Sequence, residues 1–249
     1  MASLVACRWS VVIPAFNEER RLPAYLEGVA AYFDGRGESY EVVVVDDGST
    51  DATSALVRDL ARAHPAIRVE RFEVNHGKGY AVRAGMRAAR GMLRLMADAD
   101  GATPIAESRR LEKAIEQGAD LAVGSRSLRD GSVARQMRPH RQLVGTAFNL
   151  IVRTLGVWHV TDTQCGFKLL RGDVAAALFG EVRTDGFGFD VELLLLAQRR
   201  GYRIVEVPIN WVDQPGSRVS VIKEGPRMLA QVVAARLRLG FGRGSGRRQ

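Results

Sequence analysis

Two aspartates separated by one alanine, Asp98 and Asp100, have the residue type and spacing that most directly indicate chemistry in this sequence. They follow a mostly apolar run, residues 92–97, that has the composition of a strand. Since side chains alternate along an extended segment, both carboxylates would lie on one face and could bind one divalent cation, Mg²⁺ or Mn²⁺. Acidic pairs also occur in hydrated surface turns, so the interpretation depends on the residues that accompany this pair.

Two other strand-like runs end in polar turns that start helices. One is residues 10–19, SVVIPAFNEE, and the other is residues 42–51, VVVVDDGSTD. The carboxyl ends of parallel strands meet at one edge of a sheet, so the acidic groups at these strand ends are expected to surround one ligand.

A lysine between two glycines, Lys78 in the sequence HGKGY, supplies a positive charge at the start of a predicted helix. Glycines let the backbone come close to a ligand, and both the helix start and the ammonium favour phosphate. The motif is not a P-loop, because glycine follows the lysine where a P-loop has serine or threonine. A solvated lysine is the alternative. A cation site beside a phosphate site indicates chemistry on a nucleotide.

The elements that must position these residues follow a simple order in the first half of the chain. Strands are predicted at residues 9–13, 41–45, 67–72, 92–97 and 120–124. Helices are predicted between them at residues 18–33, 51–64, 78–90 and 105–117. This alternation predicts an α/β fold, a mostly parallel sheet sandwiched by helices, with its ligand site beyond the carboxyl ends of the strands.

The second half departs from this alternation. Its pattern predicts a helix at 141–155, an irregular segment at 162–168, a helix at 191–200 and a strand at 203–207. We expect one domain at 1–221, with a nucleotide-binding half at 1–125 and an acceptor half at 126–221, followed by a basic C-terminal segment at 222–249.

Composition limits the class of protein. The chain has 249 residues, 46% of them hydrophobic and 26% charged, which is enough for one substantial core. Its two cysteines, Cys7 and Cys165, are too few for a disulfide framework and lack metal-ligand spacing, as expected in a reducing compartment. No run reaches the roughly 18 apolar residues that span a bilayer, so a cytoplasmic location is expected.

The formal charge of +8 favours an anionic partner: nucleic acid, an acidic membrane surface or a phosphorylated substrate. Residues 236–248 contain no carboxylate, and a disordered tail is the simplest interpretation of this stretch. Apolar residues at helical spacing precede it or overlap its start: Met228, Leu229, Val232, Val233, Leu237 and Leu239. The basic residues close to them are Lys223, Arg227, Arg236 and Arg238.

Such a basic amphipathic helix is predicted to lie on anionic headgroups, as a peripheral contact on the inner, cytosolic face of a membrane. No nucleic-acid partner is expected, because aromatic residues do not interleave with the basic tail.

The combined motifs resemble a known family. VVIPAFNEE, VVVVDDGSTD, NHGKGYAVRAGM and MADADGAT are similar to motifs of the inverting glycosyltransferases of family 2, which have the Rossmann-like GT-A fold. DADGAT resembles the dolichyl-phosphate β-glucosyltransferase branch when taken with GSR at 124–126, DTQCGFKLL at 162–170 and FDVELL at 189–194. The resemblance covers about residues 10–211. Mannose synthases of the family typically have DADLQ, so Gly101 and Ala102 argue against mannose.

This resemblance implies transfer of glucose from UDP-glucose to a polyprenyl (dolichyl) phosphate, with inversion and with Mg²⁺ or Mn²⁺. It implies that the turn from Pro14 to Glu18 and Asp47 surround the uracil and ribose, with a carboxylate accepting the base N–H. The implied nucleotide-sugar residues are Pro14, Ala15, Asn17, Glu18, Asp47, Lys78, Asp98, Ala99 and Gln164. The implied metal ligands are Asp98 and Asp100, with Asp100 the more direct.

The resemblance also suggests residues for the acceptor. Arg126 and Arg141 are expected to hold its phosphate, because guanidinium groups match phosphate oxygens in pairs. The alternatives are a buried salt bridge for Arg126 and a solvent-facing position for Arg141, which Arg135 or Arg138 could then replace.

Asp190 is the candidate base for a hydroxyl acceptor, although it could instead orient the sugar or cap a helix. A phosphate acceptor is already anionic near neutral pH and needs no base.

Other functions remain as alternatives. The same fold could use another UDP-sugar, GDP-mannose or a soluble acceptor. A non-catalytic membrane-binding protein is an alternative of another class, supported only by the charge and the basic tail.

Overall fold

The computed structural model describes residues 7–128, 131, 133, 135–136, 157, 160–212, 214 and 221–240. The first half alternates strands and helices: β1 (Trp9–Ala15), α1 (Leu22–Arg36), β2 (Tyr40–Asp47), α2 (Thr53–Ala63), β3 (Ile67–Phe72), α3 (Lys78–Ala88), β4 (Leu93–Met96), α4 (Ser108–Glu116) and β5 (Leu121–Ser125). A 3-10 turn, Ile105–Glu107, leads directly into α4.

The second half is more mixed. Its elements are β6 (Arg135–Gln136), β7 (Lys168–Arg171), α5 (Gly172–Glu181), α6 (Phe189–Arg199), β8 (Ile204–Pro208), β9 (Trp211–Val212) and α7 (Val221–Leu239).

Seven strands form one sheet in the order β3-β2-β1-β4-β7-β5-β8. Strand β7 runs antiparallel to both of its neighbours, and every other pairing in this sheet is parallel. Strands β6 and β9 form a separate parallel pair. The predicted α/β architecture with a mostly parallel sheet is confirmed.

The strand order reverses beside β1. The chain places β2 and β3 on one side of β1 and then returns to place β4 on the other side. Connections leave β1 and β4 in opposite directions at their carboxyl ends, which opens a crevice between them. The DxD segment, residues 98–100, begins two residues after the end of β4, at this crevice.

Two apolar layers hold the sheet between helices. Val12 of β1 packs in the layer that contains α3, α5 and α6, while Val11 and Ile13 pack in the layer that contains α1, α2 and α4. All three side chains are fully buried, as alternation along a strand covered on both faces requires.

Most predicted elements of the first half occur with small shifts in their ends. Helix α1 begins at Leu22 instead of residue 18, because residues 16–21 form a turn and Pro23 occupies the first helical turn. The sequence prediction missed β6, β7, α5 and β9. The segment predicted to be irregular, 162–168, is irregular up to Phe167, and Lys168 begins β7. The predicted helix at 141–155 lies outside the described residues.

The predicted C-terminal helix is present as α7, but its apolar residues do not share one face. Val232 is fully buried against the layer that contains α6, whereas Val233 is 38% exposed and Leu237 is 65% exposed. Over the residues that the structure describes, no helix combines the length and the apolar character needed to cross a bilayer.

Candidate active site

A cleft of about 360 Å³ lies at the carboxyl ends of β1, β2 and β4, and we call it the first cleft. It brings together most of the residues that the sequence predicted for the nucleotide sugar. Those that line it are Pro14, Ala15, Glu18, Asp47, Lys78, Asp98 and Ala99, together with Asp100. Phe16, in the predicted turn from Pro14 to Glu18, and Gly77, in the predicted glycine-lysine segment, also line it. Sequence reasoning missed the other lining residues: Arg21, Asn75, Ala81 and Phe187.

A second cleft shares the two aspartates with the first. Its other lining residues are Ala102, Thr103, Arg126, Cys165, Gly166 and Trp211. Asp98 and Asp100 therefore lie where two clefts meet. Apart from Phe187, the first cleft is formed by the first half of the chain, and both halves form the second cleft.

Asp98 forms an ion pair with a lysine of the same chain. The Nζ of Lys78 lies 2.6 Å from its Oδ1. Burial opposes charge on Asp98, but Lys78 and Arg126 outweigh it and hold the pKa of the carboxyl below its ordinary value. Burial likewise lowers the pKa of Lys78, and the carboxylates of Asp98 and Asp190 raise it above its ordinary value. Both groups are charged near neutral pH.

Asp100 is less well compensated. Its Oδ1 accepts the backbone N–H of Ala102 at 3.0 Å, and its Oδ2 is 3.9 Å from Nη1 of Arg21. Burial and the nearby charge of Asp98 raise the pKa of Asp100. A divalent cation bound to both carboxylates would reduce the repulsion between their negative charges.

The donor set fits Mg²⁺ or Mn²⁺ shared with a ligand. Carboxylate oxygens are hard ligands of the kind that these ions prefer. The described part of the chain contains no cluster of three or more His, Cys, Asp or Glu side chains placed to hold a metal. Asp98 and Asp100 would thus hold the ion together with phosphate oxygens and water, which is the usual arrangement for magnesium.

Gly166 allows the second half of the chain to reach Asp98. A Cβ on this residue would lie 2.1 Å from Oδ2 and 2.4 Å from Oδ1 of Asp98. The irregular segment before β7 therefore packs directly on the carboxylate, and only glycine fits there.

Asp47 connects the end of β2 to the start of α3. The backbone N–H groups of His76 and Gly77 donate to its Oδ1 and Oδ2 at 2.9 and 2.8 Å. Gly77 has a φ of +108° and would bring a Cβ to 2.6 Å from a backbone oxygen of Asp185, so glycine is required at this turn. Each oxygen of Asp47 keeps a second lone pair, and its contact with a base N–H stays a prediction.

Asn17 joins two loops and does not line the first cleft. It has a φ of 56°, and its Oδ1 accepts the backbone N–H groups of Thr50 and Asp51 at 2.8 and 3.3 Å. Its own N–H donates to Ser49 Oγ at 2.8 Å. These bonds fix the turn that carries Glu18, and a direct contact of Asn17 with a nucleotide stays a prediction.

Arg126 forms a salt bridge, which was the alternative interpretation of this residue from the sequence. Its Nε and Nη2 donate to the two carboxylate oxygens of Asp162, both at 2.8 Å, and its guanidinium lies 5.6 Å from the ring centre of Trp211. Burial opposes the charge of Asp162, but Arg126 outweighs it and lowers the pKa of this carboxyl. Arg126 still lines the second cleft, where its contact with an acceptor stays a prediction. Arg138 and Arg141 lie outside the described residues.

Asp190 is paired with a lysine that the sequence analysis did not single out. Lys168 is fully buried, and its Nζ donates to Asp190 Oδ1 at 2.5 Å and to the carbonyl oxygens of Thr163 and Cys165. Burial raises the pKa of Asp190, and Lys168 and Lys78 offset part of this effect. The pair fixes the segment beside Asp98. The sequence signal for a buried lysine was its position directly before two apolar residues, Leu169 and Leu170.

Gln164 keeps an unused donor. Its Nε2 is buried and has no hydrogen-bond partner within the described residues. The residue lines neither cleft, and its contact with sugar hydroxyls stays a prediction.

The fold and the position of the acidic pair are those of a nucleotide-sugar glycosyltransferase. Residues 10–179 match the model of the family described as "Glycosyl transferase family 2", and the chain belongs to this family.

The chain is similar to dolichyl-phosphate beta-glucosyltransferases. It is 38% identical over 220 residues to one from Trichomonas vaginalis, covering 84% of this chain and 65% of that protein. It is 35% identical to one from Dictyostelium discoideum, covering 92% and 74%, and 39% identical to one from Mus musculus, covering 84% and 69%. The chain thus spans about two thirds to three quarters of the length of these relatives.

Solved structures share the fold. Glucosyl-3-phosphoglycerate synthase from Mycobacterium tuberculosis in complex with UDP superposes with a TM-score of 0.68 at 22% identity, covering 93% of this chain and 79% of that one. The same enzyme in complex with Mn²⁺ and UDP-glucose also gives a TM-score of 0.68 at 22% identity, covering 92% and 79%. These matches establish the GT-A-like fold.

Proposed function

We propose that this protein transfers glucose from UDP-glucose to a polyprenyl (dolichyl) phosphate with inversion at the anomeric carbon. The observation that carries the proposal is the position of Asp98 and Asp100 at the meeting point of the two clefts. A donor diphosphate in the first cleft and an acceptor in the second would meet at this pair. The names of the relatives support the choice of sugar and acceptor.

The first cleft supplies groups for each part of the donor. Glu18 and Asp47 line the cleft and are proposed to face the nucleoside. Lys78 at the start of α3 lies where a diphosphate would face both its ammonium and the helix end. Mg²⁺ or Mn²⁺ held by Asp98 and Asp100 would neutralise the charge that develops on UDP as it leaves.

The reaction is one displacement. A phosphate oxygen of the acceptor attacks the anomeric carbon from the face opposite to UDP, the carbon–oxygen bond to UDP breaks, and its electron pair leaves with UDP. A phosphate monoester is anionic near neutral pH, so no base has to remove a proton. This agrees with the pairing of Asp190 to Lys168, which leaves alignment as the main task of the protein.

The acceptor side is proposed to use Arg126. Asp162 holds two of its guanidinium nitrogens and so fixes its plane beside the second cleft. A guanidinium fixed in this way stabilises a phosphate without the entropy loss of ordering a free side chain.

The outer face of α7 is the proposed contact with an anionic membrane on its cytosolic side. Val233 and Leu237 are exposed on this face, and Arg227 is exposed beside it. Residues 225–249 include arginines and no carboxylate, which suits anionic headgroups. Arg238 instead pairs with the buried Glu192 and anchors the helix to the domain.

Transfer of radiolabel from UDP-glucose into an organic-extractable polyprenyl phosphate with Mn²⁺ tests the reaction. We expect transfer by the wild type and a loss of at least about 100-fold in Asp100→Asn. Asp59→Asn is the matched control, because Asp59 is 65% exposed on α2 and should leave transfer unchanged. Normal transfer by Asp100→Asn would contradict the role of the acidic pair.

A thermal-shift panel tests the donor, because a ligand that binds only the folded state raises the unfolding temperature. UDP-glucose with Mn²⁺ should stabilise the protein more than GDP-mannose or other UDP-sugars. Stabilisation by GDP-mannose and not by UDP-glucose would overturn the choice of donor.

The radiolabel assay also tests the acceptor. If glucose is transferred only to soluble acceptors and not to a polyprenyl phosphate, the choice of the lipid is wrong.

Sedimentation with phosphatidylglycerol vesicles tests the membrane contact. The double variant Val233→Glu/Leu237→Glu should bind vesicles more weakly than the wild type. Met92→Glu is the control, since Met92 is also 65% exposed but lies at the opposite end of β4 from Asp98. Equal binding by all three proteins would contradict a contact through α7.

A further inference from the structure

Arg21 carries an unused donor inside the first cleft. Its Nε and Nη2 donate to the two carboxylate oxygens of Glu18 at 2.7 and 2.5 Å, which fixes the plane of the guanidinium. Its third nitrogen, Nη1, is buried and has no hydrogen-bond partner among the described residues. A buried donor without a partner is costly, so its retention in a cleft points to a ligand.

The position of Nη1 indicates which kind of ligand group it could bind. Nη1 lies 3.9 Å from Asp100 Oδ2, too far for a hydrogen bond and close enough for attraction between the charges. Arg21 lines the first cleft, as Glu18 and Lys78 do, and does not line the second cleft, where Arg126 lies.

The other cations of the two clefts also pair with carboxylates, as Arg21 pairs with Glu18. Lys78 pairs with Asp98, and Arg126 pairs in a bidentate manner with Asp162. Within the described lining of the clefts, Arg21 is the cation with a buried donor that no protein acceptor uses. An incoming anion can bind to it without breaking an existing ion pair.

We propose that Arg21 binds the diphosphate of the donor through Nη1, on the side of the acidic pair opposite to the acceptor. Glu18 holds the guanidinium in the orientation that directs Nη1 toward Asp100. Arg21 is thereby a donor-binding residue that distinguishes a nucleoside diphosphate from a nucleoside. The inference rests on the proposed function, since it assumes that the first cleft holds the nucleotide sugar.

Calorimetric binding of UDP and of uridine, both with Mn²⁺, tests this role because uridine has no phosphate. Arg21→Met should weaken UDP binding about tenfold or more, the size expected for a lost charge-assisted hydrogen bond, and leave uridine binding unchanged. Arg20→Met is the matched control, since Arg20 is the neighbouring exposed arginine and should change neither.

Arg21→Lys is the second variant, in case Arg21→Met unfolds by leaving Glu18 without its partner. Lysine keeps the charge beside Glu18 but cannot bind it in a bidentate manner and also present a third donor. We expect Arg21→Lys to be folded, with an unfolding temperature and a UDP affinity between those of the wild type and Arg21→Met.

Three results would overturn the proposal. Equal losses of UDP and uridine binding would mean that Arg21 only positions Glu18. Unchanged UDP binding with a raised KM for the acceptor would assign Arg21 to the acceptor phosphate. Unchanged binding and kinetics would leave it no role. If wild-type protein binds no UDP, the proposed function itself fails, and that outcome is distinct from all three.

Discussion

The ammonium of Lys78 lies 2.6 Å from one carboxylate oxygen of Asp98, so the protein places its own cation on a predicted metal ligand. A divalent ion that binds Asp98 through this oxygen is repelled by the ammonium, so binding of the ion favours release of Lys78 from Asp98. A diphosphate offers the released ammonium a new anionic partner beside the start of α3. Binding of metal and of nucleotide should therefore be cooperative.

Lys78→Met tests this competition. Without nucleotide, the variant should bind Mn²⁺ at least about tenfold more tightly than the wild type, because a positive charge no longer competes for Asp98. With metal present, it should bind UDP more weakly, because the diphosphate loses an ammonium. Electron paramagnetic resonance of free Mn²⁺ measures the first effect and calorimetry the second. Lys113→Met, at an exposed lysine of α4, is the control, and a metal affinity no tighter in Lys78→Met would contradict the competition.

Gly166→Ala should disable the acidic pair with little effect on the fold. The added methyl would lie 2.1 Å from Oδ2 of Asp98 and would push the carboxylate aside. We expect transfer to fall about 100-fold, since small misplacements of reacting groups cost this much. Gly180→Ala on α5 is the control, because a Cβ there meets nothing within 4 Å. It should retain activity and be equally or slightly more stable. If Gly166→Ala transfers glucose at the wild-type rate, the reaction does not depend on the exact position of the Asp98 carboxylate.

Arg126→Lys separates an acceptor role from a purely structural one. Lysine keeps the charge but cannot reproduce the bidentate pair with Asp162. The free energy of unfolding should therefore fall by about 1.5 kcal/mol, the lower end of the range for one lost hydrogen bond to a charged group, because Arg126 is partly exposed. If Arg126 also binds the acceptor phosphate, KM for the acceptor should rise while UDP binding stays unchanged. A stability loss with an unchanged acceptor KM would restrict Arg126 to holding Asp162.

Cys165 should resist alkylation across the neutral range. Burial, with a smaller contribution from Asp162, raises the pKa of this thiol to about 12, and the side chain is 2% exposed. A raised thiol pKa means that the reactive thiolate is scarce at every pH below it. Cys7→Ser leaves Cys165 as the single cysteine. At pH 8 its reaction with iodoacetamide, followed by mass spectrometry, should be at least about 100-fold slower than in the unfolded chain. Equal rates would contradict the buried position.

The parts of the fold that local pattern determines were predictable. The period of the apolar residues defined the first five strands, and β3 has the predicted ends, Ile67 and Phe72. The parallel order followed from alternation of strands with helices. The acidic pair could be placed at the ligand edge because it directly follows a strand, and the first cleft contains most of the residues predicted for it.

The parts determined by long-range pairing were not predictable. Strand β7 has only four residues, KLLR, and is a strand because β4 and β5 pair with it from either side. The pairs of Lys168 with Asp190 and of Arg126 with Asp162 join residues 22 and 36 positions apart. No local pattern encodes such contacts. Arg21 was missed because it follows NEER in a stretch predicted to be helix, where an arginine is ordinarily solvated.

The position of β7 in the chain has a consequence for folding during synthesis. This strand fills the gap between β4 and β5, although about 70 residues of synthesis separate β4 from it. A nascent chain leaving the ribosome therefore carries an uncovered edge on β4 until residue 171 has emerged, and such an edge attracts chaperones or other chains. The acidic pair acquires its neighbour Gly166 in the same step, so the catalytic edge and the centre of the sheet are completed together, late in biogenesis.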